Sequence, residues 1–176
     1  ERVLPPLAAR GSVSLPELRD LARENGRFNI GRIVRTFNEP TLPLLFLDAR
    51  AHGRVAFTRQ RQRRVDGRRL VAYAFREVGR PTLIRSEQRD LPVRGVIDID
   101  EATGAVWAAT LEMDAPGTGL TGTMTVAYRP HVAFDVLVPH EMREVYDAAG
   151  AEQVTATAVY SDFRRFETTV RIVPSP

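Results

Sequence analysis

Glu144 offers the sharpest chemistry in this 176-residue sequence. In the stretch Met142 to Tyr146 it alternates with Met142 and Tyr146 at strand spacing, while Glu141, Arg143 and Asp147 take the other side. The side with three charges belongs in solvent, so the Met142 side is the one to bury. A carboxylate among apolar neighbours loses hydration, holds its proton more tightly and can serve as a general acid or base. His140, just before that stretch, is the second candidate for proton transfer. The plainer reading weighs more: an arginine pairs with Glu144, because structural ion pairs perturb carboxylates more often than catalysis does.

Other chemistry is thinner. Asp98 and Asp100 share one side of a strand, opposite Ile97 and Ile99. Paired carboxylates can hold a metal or cleave glycosides. Here they read as residues of a solvated convex face, where Glu112 on the next strand adds repulsion unless arginines intervene. His52, His131 and His140 have no partner at metal-ligand spacing, there is no HExxH, and no calcium loop occurs. No serine sits in GxSxG, and no GxGxxG cradles a phosphate. Cysteine is absent, which removes thiol chemistry, and all 25 basic residues are arginine, which removes Schiff bases. No metal and no cofactor is expected.

Arg59, Arg61, Arg63, Arg64, Arg68 and Arg69 flank one turn, Asp66-Gly67. Such a run can meet anionic lipid or nucleic acid. Without interleaved aromatics a single-strand binder is disfavoured, and a solvated hairpin guarding a sheet edge fits better. A net charge of +3 is too small to argue for specific nucleic-acid binding.

The elements that must position these groups follow from composition and period. With 43% hydrophobic and 27% charged residues the chain is globular, and its length suits a single domain over 1–176. No apolar run approaches the roughly 18 residues of a membrane-spanning helix, and no signal peptide is visible. The chain begins at Glu1 rather than methionine, as a processed form or a fragment does. Residues 1–51 read as a lead-in and helical plug. Ser14, Pro16 and Glu17 open one helix over the stripe Leu15, Leu18, Leu21, Ala22, and Gly26 ends it. Ile30, Ile33, Val34 and Phe37 suggest a second, and Thr41 to Leu47 forms an apolar plug.

From 52 to 176 the period becomes two, with turn signals about every ten residues. Asp66-Gly67 and Glu101 to Gly104 mark turns, Gly79-Arg80-Pro81 interrupts, and Pro139 splits Val136–Val138 from Met142–Tyr146. Val154 to Tyr160 and Phe166 to Ile172 close the chain. Strands joined by short connections must be antiparallel. The fold class is mainly β (α+β): a curved antiparallel sheet or incomplete barrel of eight or nine strands, with N-terminal helices covering it.

Several stretches carry a resemblance: Asn38-Glu39-Pro40-Thr41-Leu42, Gly79 to Arg85, Asp90 to Gly95, Ile99 to Gly104, Val138 to Glu144 and Tyr160 to Phe166. Together they resemble a family of uncharacterised, exported bacterial proteins common in acidobacterial genomes. Its architecture resembles the half-barrels of the LolA/LolB and VioE types, whose concave face holds a hydrophobic ligand. The resemblance implies a periplasmic or cell-envelope address and more chain ahead of Glu1. In the residues themselves, the shared motifs read as turn chemistry.

Two functions follow as expectations. The first is a binding module for an apolar or lipid-like small molecule, with Tyr73, Trp107, Tyr128, Met142 and Tyr146 supplying contact, Arg80 or Arg143 meeting an anionic head group, and peripheral membrane contact allowed. The second is a hydrolase or other acid–base enzyme using Glu144, His140 or an Asp/His pair in the same hollow. An apolar lining favours carriage, and two titratable groups within hydrogen-bond reach favour catalysis.

Overall fold

A computed structural model describes residues 39–86, 89–115, 119–148 and 153–164. Contacts divide the chain after Glu39, and the unit described here is the second, Pro40–Pro176. The two helices expected before residue 38 and the strand expected at Phe166 to Ile172 lie outside the described residues.

Alternating apolar positions, each bounded by turn residues, make nine strands: β1 (Val55–Val65), β2 (Arg68–Glu77), β3 (Arg85–Ser86), β4 (Arg89–Asp90), β5 (Val93–Asp100), β6 (Val106–Ala115), β7 (Leu120–His131), β8 (Val136–Ala148) and β9 (Val154–Val159). Seven of them form one sheet in the order β1-β2-β5-β6-β7-β8-β9, and β3 and β4 form a separate ladder. Every neighbouring pair is antiparallel. The sheet is curved and unclosed. Among the described residues it therefore holds seven strands rather than eight or nine.

The register sets one continuous row across the inner face: Phe57, Phe75, Gly95, Leu111, Met124, Glu144, Ala156. Leu111, Met124 and Ile97 are fully buried. Gly95 is required in that row. A Cβ there would lie 1.9 Å from the Thr110 carbonyl oxygen and 2.8 Å from the Phe75 ring. Only a bare backbone lets the strands bend this closely while the ring lies across it.

The apolar segment at 41–47 behaves as its composition predicts. Leu42–Leu47 is a short 3-10 helix with Pro43 in its first turn, and it buries Pro43 and Phe46. The Phe46 and Phe75 rings lie 5.0 Å apart, and the Tyr128 hydroxyl donates to the Pro40 carbonyl at 2.7 Å. A second 3-10 segment, Ala49–Arg54, leads into β1, with the Asp48 side chain accepting from the Arg50 amide.

Asp66 and Gly67 both have positive φ (49° and 77°), as a type I′ hairpin turn needs. Pro139 does not split β8. The strand runs unbroken from Val136 to Ala148, with a register shift opposite Ala127/Tyr128 that accommodates the missing amide. Pro81 lies in the interruption expected at Gly79-Arg80-Pro81. It follows a cis peptide bond inside the 79–92 excursion.

Candidate functional site

Glu144 lies where strand alternation puts it. It is 1% exposed on the inner face, directly across from Met124 on one side and Ala156 on the other. Two residues on, Tyr146 is 3% exposed, and its hydroxyl donates to Glu144 Oε1 at 2.7 Å. A phenol and a carboxylate are thus in hydrogen-bond contact on the buried face. Leaving either buried partner without the other costs roughly 1–3 kcal/mol. Gly122 lies opposite Tyr146, and a Cβ placed there would just touch the ring at 3.4 Å.

The other predicted site residues are spread out. Met142 is buried two positions before Glu144, and Tyr160 packs its hydroxyl 3.7 Å from the Met142 sulfur. Tyr128 is buried and its phenol is pushed far up, chiefly by burial and then by the neighbouring Tyr160. Tyr73 is half-buried on the same face, opposite Ile97. His140 is the extra residue at the β8 register shift and is exposed, so it does not join Glu144. Four strand positions separate the two, roughly 13 Å at strand rise. Arg143 is exposed on the face opposite Met142 and Glu144. Arg80 reaches Asp90 at 2.9 Å.

Trp107 occupies the β6 register shift, with Arg68 4.6 Å and Arg129 5.3 Å from its ring centroid. Its indole nitrogen is buried with no hydrogen-bond partner among the described residues. It is therefore held by stacked guanidinium groups rather than by a polar contact.

The carboxylates expected on a solvated face are more enclosed than that expectation. Asp100 is buried and pairs with Arg68 at 2.9 Å, while Asp98 pairs with Arg63 at 2.6 Å. Glu112 pairs with Arg94 at 2.7 Å. Arg68 and then the Ala102 amide hold the Asp100 carboxyl below its ordinary value. Arginines do intervene here, and they consume the carboxylates in ion pairs and turns. Among the described residues no group of acidic or histidine side chains could hold a metal ion.

One polar cluster was not foreseen. Glu77 accepts from the Leu83 amide, and Asp90 accepts from the Thr82 amide at 2.9 Å and from its hydroxyl at 3.1 Å. The Thr82 hydroxyl in turn bonds the Ile84 carbonyl and the Leu91 amide. Burial pushes the Glu77 carboxyl up, against the Leu83 and Val93 amides and Arg54. The cluster fastens the 79–92 excursion and explains two of the shared motifs as backbone satisfaction. Extending the alternation Tyr73, Phe75 by one step would have found Glu77 in the sequence.

Two open grooves, of about 310 and 500 Å³, share Arg76, Arg94 and Glu112 on the outer side of the sheet. No family model matches the chain, and neither a curated protein nor a solved structure matches it. The half-barrel resemblance rests on the quoted residues alone.

Proposed function

We propose that this protein binds an apolar or lipid-like small molecule on the inner face of its open sheet. The observation that carries the reading is an apolar face wider than its cover. Phe46 sits over Phe75, yet Phe57 at one margin stays 38% exposed, and Ala156 and Ala158 at the other stay half-buried. On this face β9 presents the small side chains of Ala156 and Ala158, opposite Glu144 and Met142 of β8. The envelope address implied by the resemblance agrees with such a ligand.

A second reading, acid–base chemistry, is favoured by one observation: the Glu144–Tyr146 contact. Its burial argues against it, because a general acid must reach the proton it transfers. A buried pair of this kind fixes β8 more readily than it turns over a substrate.

The test has two parts. Solvent extracts of the purified protein are read by mass spectrometry for retained small molecules, and a fluorescent polyene fatty acid is titrated in. Saturable binding that Ala156→Phe abolishes supports the reading. Absence of both retained compound and saturable binding rejects it. Hydrolytic turnover of ester substrates that Glu144→Gln removes would establish the second reading instead.

A further inference from the structure

Antiparallel order places three turns at one end of the sheet: Asp66-Gly67 between β1 and β2, Glu101–Gly104 between β5 and β6, and the 132–135 turn between β7 and β8. The sequence alone does not reveal that these turns are neighbours. β1, which carries Arg61 and Arg64, and β7 are four strand spacings apart, roughly 19 Å.

The first turn carries six arginines, Arg59 to Arg69, around a single carboxylate, Asp66. Four of them are occupied: Arg63 by Asp98, Arg68 by Asp100, and both Arg59 and Arg69 by Glu101. The acid of the middle turn is therefore neutralised twice over. Arg61 and Arg64 are exposed with no carboxylate partner among the described residues, and Arg64 stands directly across from Arg69. Like charges in register repel.

The third turn exposes apolar side chains where turns are ordinarily polar, with a single exposed carboxylate, Asp135, at its end. Val132 is 96% exposed and Val136 53%, with Pro130 and Ala133 also exposed. Beneath them the tip is rigid: the Phe134 and Asp135 amides both bond the His131 carbonyl, and the His131 ring stacks on Phe134 at 4.1 Å. A preformed apolar tip and unpaired guanidinium groups at the same end of the sheet match a surface with anionic head groups over hydrocarbon. They do not match a single-stranded nucleic acid, which would call for exposed stacking aromatics.

We propose that this turn end is a membrane-docking edge: the β1–β2 hairpin meets anionic lipid head groups through Arg61 and Arg64, and the β7–β8 tip sinks Val132 among them. This does not depend on a ligand occupying the inner face.

The experiment is co-sedimentation of the full chain with vesicles of phosphatidylcholine alone and of phosphatidylcholine with phosphatidylglycerol in equal parts. Binding to the mixed vesicles that weakens with added salt is expected, with little binding to phosphatidylcholine. Arg61→Glu with Arg64→Glu lowers the vesicle affinity at least roughly tenfold, and Val132→Asp lowers it severalfold by itself. All three positions are exposed, so unchanged thermal melts confirm that folding is not the cause. No binding to mixed vesicles overturns the proposal. So does full binding by Val132→Asp, or a single-stranded oligonucleotide that displaces the protein from the vesicles.

Discussion

The Tyr146 hydroxyl donates to Glu144 Oε1 at 2.7 Å, from two positions along the same strand and the same buried face. Strand neighbours at i and i+2 point the same way, so the pair needs no distant loop to assemble it. Tyr146→Phe removes the donor without changing the packing. We expect a loss of about 1–3 kcal/mol in urea unfolding. Glu144→Gln keeps an acceptor and should cost less. No loss for Tyr146→Phe beside a large loss for Glu144→Gln would show that β8 relies on the Glu144 carboxyl rather than on this bond.

Gly95 and Gly122 both lie under aromatic rings, yet they should respond differently to a methyl group. At Gly95 the new atom meets the Thr110 carbonyl oxygen, which belongs to the sheet and cannot step aside. Gly95→Ala should cost about 2–3 kcal/mol. At Gly122 the nearest atoms are 3.4 Å away and belong to the Met113 and Tyr146 side chains. Gly122→Ala should cost less than about 1 kcal/mol. Chemical unfolding of the two variants measures the contrast.

Phe46→Ala tests the cover. The ring is fully buried against Phe75, so its removal should cost about 3–5 kcal/mol. If the inner face binds apolar molecules, the variant should also take up the polyene fatty acid more readily, because an apolar cavity replaces the ring. Destabilisation without added uptake would mean that the neighbouring side chains collapse into the space.

Glu77 gives a pH signature. Its carboxyl is raised mainly by burial. The folded form therefore holds that proton more tightly than the unfolded form, and stability from this group falls as pH rises from the ordinary glutamate value, about 4.3, through the folded value. Glu77→Gln cannot ionise and keeps an oxygen for the Leu83 amide. Its thermal midpoint relative to the parent should be more favourable at neutral pH than near pH 4. Asp90 and Asp100 are lowered instead, chiefly by the Thr82 amide and by Arg68 respectively, so their stabilisation is lost as pH falls below the aspartate range. The loss at Asp100 is common to both proteins and cancels, whereas Glu77→Gln also relieves the repulsion between Glu77 and Asp90, which acts in the same direction at neutral pH. A pH-independent difference would count against the shift at Glu77.

Period-two patterning made most of the sheet legible. Met142, Glu144 and Tyr146 lie on one face because alternation alone dictates it, and Asp66-Gly67 forms its turn because two positive-φ residues suit nothing else. Features with no local signal were hidden. Pro139 looked like a strand break because a lone proline does not announce the register shift that absorbs it. Asp100 looked solvated because its partner Arg68 comes from another strand. His140 looked like a partner for Glu144 because proximity in sequence conceals the distance along an extended strand.

The bond from Tyr128 to the Pro40 carbonyl joins residues 88 apart, whereas the meander from β5 to β9 is built almost entirely from chain neighbours. Closing a long loop costs entropy that short hairpins avoid. Assembly should therefore proceed hairpin by hairpin, with residues 40–47 settling on the sheet last. The same step, reversed, is the least expensive way to expose Phe75 without melting a strand, and amide exchange at Leu44 and Asp48 should outpace that of β6 and β7.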